Sequence, residues 1–323
     1  MSATALRLAT PDPSDGSSGP GGSFEAVASA AQAADGHDPF NEQTRLDLAS
    51  GRRSPLVAFG DAAGGEAEPL AAAVVGAGEL DLVVHPAHRR RGVGAALLER
   101  LLAERLRSEA ALTAWSHGDH PAARALAASH GFEAVRTLLQ LRLGLGLGLG
   151  LDGSADRPGA SGPGDEQAAD EREPADAGGV TVEEYRPERD RDDWVALNRL
   201  AFAFHPEQGA MTADDVRARE AEPWFDPSVF FLARSDDGAL LGYNWLKVEP
   251  GDDVGEIYVI GVHPDASGRG LGTRLMHRGL RALRERGLSA ATLYVEADNA
   301  PAVRLYRSLG FVDENVDVQY SRI

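Results

Sequence analysis

One phrase occurs twice in this 323-residue chain. It reads Val84-His85-Pro86-Ala87-His88-Arg89-Arg90-Arg91-Gly92-Val93-Gly94, and then Val262-His263-Pro264-Asp265-Ala266-Ser267-Gly268-Arg269-Gly270-Leu271-Gly272. Each copy follows an apolar, strand-like run and opens a helix-like one. The glycines let backbone amides approach an anion closely, the N-terminus of the following helix contributes donors and a favourable dipole, and Arg89 to Arg91 and Arg269 add charge. The chemistry this pattern serves is the cradling of a phosphate, at two places.

The repeat extends beyond the phrase. About 178 residues separate its copies, and nearly the same offset relates Gly131-Phe132 to Gly310-Phe311, as a duplicated domain requires. Two domains also suit the length, since each half can bury its own core. The formal charge of −18 argues against attraction to nucleic acid or to an anionic membrane. Much of that charge is local, with Asp152, Asp156, Asp165, Glu166, Asp170, Glu171, Glu173 and Asp176 crowded into one stretch. The chain has no cysteine, which removes disulfides and thiolate nucleophiles together. No grouping has metal-ligand spacing, so no metal is expected. No run of ~18 apolar residues occurs, and Met1 to Gly22 lacks the basic and apolar regions of a signal peptide, so a cytoplasmic location is expected.

The elements that must position the two cradles follow from composition and period. Residues 1–23, rich in Ser, Gly and Pro, read as a disordered tail. A first domain spans 24–143. The alternating Leu and Gly of Leu143 to Leu151, whose first residues are expected to extend the first domain's last strand, and the acidic stretch after it make a linker over 144–179, kept extended by its charge. The second domain spans 180–323. It begins with a helix over Asp192–Phe204 and another capped by Thr212, followed by strands at Val229–Ala233, Ala239–Val248 and Glu256–Val262. A helix from Gly270 to Arg286 carries Leu271, Leu275, Leu280 and Leu283 along one face. A strand at Ala290–Val295, a short helix at Ala300–Leu309 and a last strand at Val316–Ser321 complete a mixed α/β (α+β) layer.

With that order of elements, the Arg89-to-Gly94 pattern and the downstream Asn299-x-x-Ala302-x-x-x-Tyr306-x-x-x-Gly310-Phe311 resemble the GNAT acetyltransferases, in tandem. Ser267 departs from the pattern, standing where Arg or Gln is usual. The pair of domains, together with Phe204-His205-Pro206-Glu207-Gln208-Gly209, Glu222-Pro223-Trp224-Phe225-Asp226-Pro227 and Gly255-Glu256-Ile257-Tyr258-Val259-Ile260-Gly261-Val262, is similar to the mycothiol synthase family of actinobacteria. That resemblance implies a cytoplasmic enzyme that moves an acetyl group from acetyl-CoA to the free amine of a cysteinyl-glucosaminyl-inositol (Cys-GlcN-Ins). It implies that Ile260, Gly261 and Val262 pair with the pantetheine arm, that Ser267, Gly268, Arg269, Gly270, Leu271, Gly272 and Thr273 hold the pyrophosphate, and that Asn299, Ala300, Pro301, Ala302, Val303 and Arg304 close the other side. By the same carry-over Leu82, Val83 and Val84 with Arg90, Arg91, Gly92, Val93, Gly94 and Ala95 form a second acetyl-CoA site.

Acetyl transfer to an amine needs a base for its proton and an acid for the departing thiolate. Glu256, at the start of the strand leading to the cradle, is assigned as base and Tyr306 as acid; Tyr294 is a rival acid or a substrate ligand. Glu207, Lys247 and, in the first domain, Glu42 are the substrate-facing candidates, with Glu256 itself. His85 and His263 read as turn residues, and His205 carries no specific signal. With the repeated phrases aligned, Glu256 falls opposite Gly78; with the Gly-Phe pairs aligned, Tyr306 falls opposite Ala127. Glu79 is one residue away, which on a strand means the opposite face. The first domain is therefore expected to hold acetyl-CoA without catalysing. A tandem enzyme for another amine, such as an aminoglycoside or a protein N-terminus, and a non-enzymatic acyl-CoA sensor are the alternatives. Because duplication supplies an internal pair, a monomer is expected.

Overall fold

The computed structural model describes residues 6–11, 20–60, 67–107, 109, 111–146, 179–203 and 208–323. These fall into two compact units. The first takes in the chain to Leu139 together with Glu296–Asp298 and Asn315–Ile323; the second takes in Gln140–Val295 and Asn299–Glu314. These limits differ from the linear boundaries expected above, because each unit includes a strand segment from the far end of the other repeat.

In the first unit the order is β1 (Leu6–Ala9), α1 (Pro20–Asp35), α2 (Glu42–Ser50), β2 (Ser54–Gly60), β3 (Pro69–Gly76), β4 (Glu79–Val84), α3 (Val93–Glu104), β5 (Leu112–Ser116), α4 (Pro121–Ser129) and β6 (Glu133–Gly144), whose residues from Gln140 onward count with the second unit. The strand β1 corrects the expectation of a disordered tail through residue 23: Leu6 is buried, and Leu6 to Ala9 pair antiparallel with Gly60 to Val57. A short alternation of Leu with Arg and Ala is enough to pair once a sheet edge is available. Strands β2, β3 and β4 form an antiparallel meander, and α3 packs Val93, Leu97, Leu98 and Leu101 onto one of its faces. On the other face, Phe24, Val27, Ala28 and Ala31 of α1 pack on Val57, Val74 and Val83.

The second unit holds β7 (Val180–Glu184), α5 (Pro187–Ala201), α6 (Ala213–Glu220), β8 (Phe230–Ser235), β9 (Leu240–Lys247), β10 (Val254–Val262), α7 (Leu271–Glu285), β11 (Ala290–Glu296) and α8 (Ala300–Ser308). The last strand, β12 (Val312–Arg322), returns to the first unit, where Val318 to Arg322 pair with Ser116 to Leu112 of β5. Reciprocally, Leu141 of β6 is fully buried in the second unit and its carbonyl accepts from Thr292 Oγ1 at 3.0 Å, while the Leu145 amide donates to Ser289 O at 2.9 Å. The first residues of the Leu-Gly run thus extend a strand, as expected; the rest of the linker, 147–178, lies outside the described residues.

Thr212 caps α6 through a full capping box with Asp215, again as expected. The α5 helix begins earlier than its pattern indicates, at Pro187, because proline at the first helical position has no N–H to leave unsatisfied. The core against α5 is aromatic. Trp194, Tyr243, Trp245 and Phe230 are fully buried, with the Trp245 and Phe230 rings stacked 4.5 Å apart and Trp194 edge-on to both.

Candidate active site

Strand β10 organises the second unit's site. Its antiparallel register with β9 runs Glu256↔Lys247 and Ile257↔Leu246, then shifts so that Val259 faces Trp245. Tyr258 is the extra residue of a β-bulge. A bulge places two residues against one, takes backbone groups out of the ladder and re-aims the side chains beyond it. Before the shift Gly255 packs toward Leu283 of α7; after it Val259 joins the aromatic core and Gly261 lies against the Tyr243 ring. On its other side β10 pairs in parallel with β11 from Val254↔Ala290 only to Ile257↔Leu293. The bulge and the end of this pairing coincide, so the part of β10 from Tyr258 onward runs past its last parallel partner on β11. Ile260, Gly261 and Val262 lie in that part, paired with Asn244, Tyr243 and Gly242 of β9.

Next comes the cradle. His263 accepts from the Asp265 amide and Ser267 Oγ donates to the His263 carbonyl, which makes His263 a turn residue. Gly268 and Gly270 have φ of 75° and 79°, a region open to glycine at little cost. Gly270 is the N-cap of α7 and provides no side-chain cap, so the helix start at Leu271, Gly272 and Thr273 offers its first-turn amides to an anion. Arg269 is exposed beside it. These donors, first-turn amides beside an exposed arginine, are of the kind that suits an anion such as a pyrophosphate. At the start of α8, Asn299 caps through its side-chain carbonyl, which accepts from the Ala302 amide at 3.3 Å; Ala300, Pro301, Val303 and Arg304 form the rest of that first turn and a half.

The proposed proton-transfer groups belong to the same unit. Lys247 stands directly across the ladder from Glu256, its ammonium 3.0 Å from Glu249 and over the rings of Trp224 and Tyr258. Tyr258 is fixed in turn by Arg219, whose Nε donates to the phenol oxygen at 2.6 Å. Tyr306 is buried on α8 against Phe311, and burial pushes its phenol up to about 12. Tyr294 is 45% exposed on β11, immediately past the last paired residue. Glu207 lies outside the described residues, and Glu42 opens α2 in the first unit, after the Asn41 cap. Sequence reasoning gave Trp224 and Tyr258 only as members of motifs and did not single out Arg219, whose contact with Tyr258 joins residues 39 apart in the chain.

The first unit has the same cradle with three differences. Gly92 caps α3 with φ of 81°, and Leu82, Val83, Val84, Arg90, Gly92, Val93, Gly94 and Ala95 all line a cavity of about 770 Å³, with Arg91 exposed nearby. The place of Gly268 is taken by Arg90, at φ 63°. Arg89 is committed elsewhere: it donates to the Val84 carbonyl and pairs with both carboxylate oxygens of Asp35 at 2.7 Å. Finally, β3 and β4 pair without a shift, Ala71↔Val84 through Gly76↔Glu79.

That regular register corrects the alignment made from sequence. Counted back from the repeated Val, the bulge adds one residue to β10 that β4 lacks. Glu79, which faces Gly76 and Thr113, therefore holds the position that Glu256 holds against Lys247 and Thr292, and Gly78 does not. The glutamate is retained in the first unit but tied down, with Oε2 accepting from the buried Arg53 at 2.8 Å.

Two family models match the chain: "Acetyltransferase (GNAT) family" over residues 194–311 and "Acetyltransferase (GNAT) domain" over residues 56–134. A mycothiol acetyltransferase of Clavibacter sepedonicus is 49% identical over 92% of this chain and 90% of its own, and one from Thermomonospora curvata is 46% identical over 91% of each. The chain belongs to the mycothiol acetyltransferase family. Members of this family of tandem GNAT domains are acetyl-CoA-dependent N-acetyltransferases, and so is this chain. Among solved structures, a GCN5-related N-acetyltransferase from Sphaerobacter thermophilus (TM-score 0.66, 22% identity, 98% of this chain and 95% of that one) shares the fold. So does a tandem GNAT protein from the clavulanic acid biosynthesis pathway (TM-score 0.67, 18% identity, 98% of each). No helix among the described residues is long and apolar enough to cross a membrane.

Proposed function

We propose that this acetyltransferase acetylates the cysteinyl amine of Cys-GlcN-Ins, giving mycothiol and CoA, in the cytoplasm and as a monomer. The observation that carries the substrate is the likeness to mycothiol acetyltransferases at 49% identity over nearly the full length of both chains. The chemistry belongs to the second unit. There, the bulge at Tyr258, the end of the β10–β11 pairing and an uncapped helix start lie along one strand and its following loop.

The backbone of Ile260 to Val262 aligns the pantetheine arm, Ser267 to Thr273 hold the pyrophosphate, and Asn299 to Arg304 flank it. Glu256 accepts the amine proton through a water as nitrogen attacks the thioester carbonyl. An amide released from the ladder by the bulge receives the oxyanion. Tyr306 faces the sulfur. A phenol at about 12 gives up its proton to a thiolate of ordinary pKa only uphill, by ~3.5 pKa units or ~5 kcal/mol. Tyr306 therefore donates a hydrogen bond to the departing thiolate and keeps its proton. A polyhydroxylated substrate with an ammonium group calls for carboxylates and hydrogen-bonding side chains; Lys247, Tyr294 and Glu207 are its candidate ligands, with Glu42 the candidate of the first unit. The first unit holds a second acetyl-CoA and does not acetylate this amine, its glutamate being paired with Arg53.

Purified protein given acetyl-CoA with Cys-GlcN-Ins, an aminoglycoside or a peptide with a free N-terminus, followed by CoA release and product mass, tests the reading. Fast release with Cys-GlcN-Ins alone is expected; preference for another amine would replace it, and tight cofactor binding with no turnover would indicate a sensor.

A further inference from the structure

The second unit buries a cation that no step of the proposed transfer uses. Arg219 lies near the end of α6 with only 7% of its surface exposed. A guanidinium taken out of water must be matched by acceptors, or its burial destabilises the fold. One acceptor is the Asp215 carbonyl, a turn back on the same helix, at 3.1 Å. Another is the Tyr258 phenol oxygen, which takes the Nε–H at 2.6 Å. The first contact stays within α6; the second crosses to β10.

Tyr258 is the extra residue of the bulge and faces no residue of its own in the β9 register. The ladder therefore does not fix its side chain. The Trp224 and Trp245 rings stand 5.1 and 5.2 Å from its ring, and the Lys247 ammonium lies 5.9 Å from the ring centre. Ring contacts tolerate sliding, whereas a hydrogen bond from a charged donor is directional and roughly twice as strong as a neutral one. Glu256 stands two residues before Tyr258, and the amides that the bulge takes out of the ladder lie at and beside it. A one-residue slip of a strand turns its side chains to the opposite face, and a latch on the bulged residue opposes that slip. The first unit has no counterpart: Leu80 and Asp81 follow Glu79 directly, where Ile257, Tyr258 and Val259 follow Glu256, and β3 and β4 pair without a shift.

We propose that Arg219 is a positioning residue for acetyl transfer: through the Tyr258 hydroxyl it pins the β10 bulge, and with it the spacing between Glu256 and the amide that receives the oxyanion. This rests on the reading that the second unit acetylates the amine. Ile260 to Val262 keep their own pairing with β9, so loss of the latch should lower kcat and spare the binding of acetyl-CoA.

The test uses the full chain with Cys-GlcN-Ins and acetyl-CoA, in Tyr258→Phe, Arg219→Met and the double variant. Each single change should lower kcat roughly 10- to 100-fold, the loss of one charged hydrogen bond, with KM for acetyl-CoA within about twofold. The double variant should be no slower than the slower single one, because both act through one bond. Rates are taken per acetyl-CoA site counted by calorimetry, so a variant that merely folds poorly loses sites and keeps its rate per site. Tyr258→Phe retains the ring and every atom of α6, and decides the matter if Arg219→Met does not fold. A Tyr258→Phe rate within about threefold of wild type, or losses that add in the double variant, would overturn the positioning role and leave the second-unit reading intact. Full activity of Glu256→Gln would overturn that reading, and this inference with it.

Discussion

Replacing Tyr306 with Phe removes one hydroxyl and keeps the ring against Phe311, so the change isolates what the phenol does. At about 12 the phenol stays protonated through the working range and is a poor proton donor to a thiolate. Its contribution is then that of one hydrogen bond to a charged group, about 1.5–3 kcal/mol, or roughly 10- to 150-fold in rate. It falls short of the larger factors that full acid catalysis reaches. Steady-state kinetics with Cys-GlcN-Ins should show kcat down by that factor in Tyr306→Phe, with acetyl-CoA affinity and thermal midpoint nearly unchanged. The pH profile carries the sign. Because burial raises the phenol, the wild-type rate should not fall on the alkaline side up to about pH 10. A loss under about threefold would refute the assignment of Tyr306 to the sulfur. An alkaline fall near pH 9–10 that vanishes in the Phe variant would refute the raised pKa and the hydrogen-bond argument built on it.

A Cβ added at Gly279 of α7 would clash with Asn244 Nδ2, which donates to the Leu275 carbonyl at 2.9 Å. Gly279→Ala should therefore cost about 1–3 kcal/mol in urea unfolding. In the first unit, Arg90→Gly relieves a left-handed backbone at φ 63° and should stabilise by about 1 kcal/mol, read as a raised melting point. The fully buried Asp190 supports the second unit's fold. Burial alone would raise its pKa, but Arg189, the Arg186 amide and Arg234 hold it below the usual carboxylate range. Its stabilisation is present above the unfolded-state value and is lost as pH falls through the folded-state one. Acid unfolding of Asp190→Asn should lack that component.

How much of this was legible in the chain depends on the length of sequence a feature needs. The two cradles, the order of strands and helices in the second repeat, the Thr212 cap and the His263 turn are decided within a few residues, by glycine conformational freedom, capping chemistry and period, and so could be read directly. The β1 strand could not, because four residues pair only where β2 offers an edge. The tie between Glu79 and Glu256 was hidden for a related reason. Aligning the repeated phrases assumes that β4 and β10 are equally long, whereas the bulge inserts Tyr258, and only pairing with β9 shows it. The one-residue offset between the two glutamates was the trace this left in the sequence.

The sequence by itself determined that two GNAT-type domains each carry a glycine-rich loop that opens a helix, since such a loop is a local arrangement of the backbone. Tertiary structure decided what stands around each one. It set Lys247 across from Glu256, tied Glu79 to Arg53, and brought Asp317 to His117 across 200 residues of chain. Those pairings join side chains from different strands and elements, and their energies depend on burial and distance, which a linear pattern does not carry.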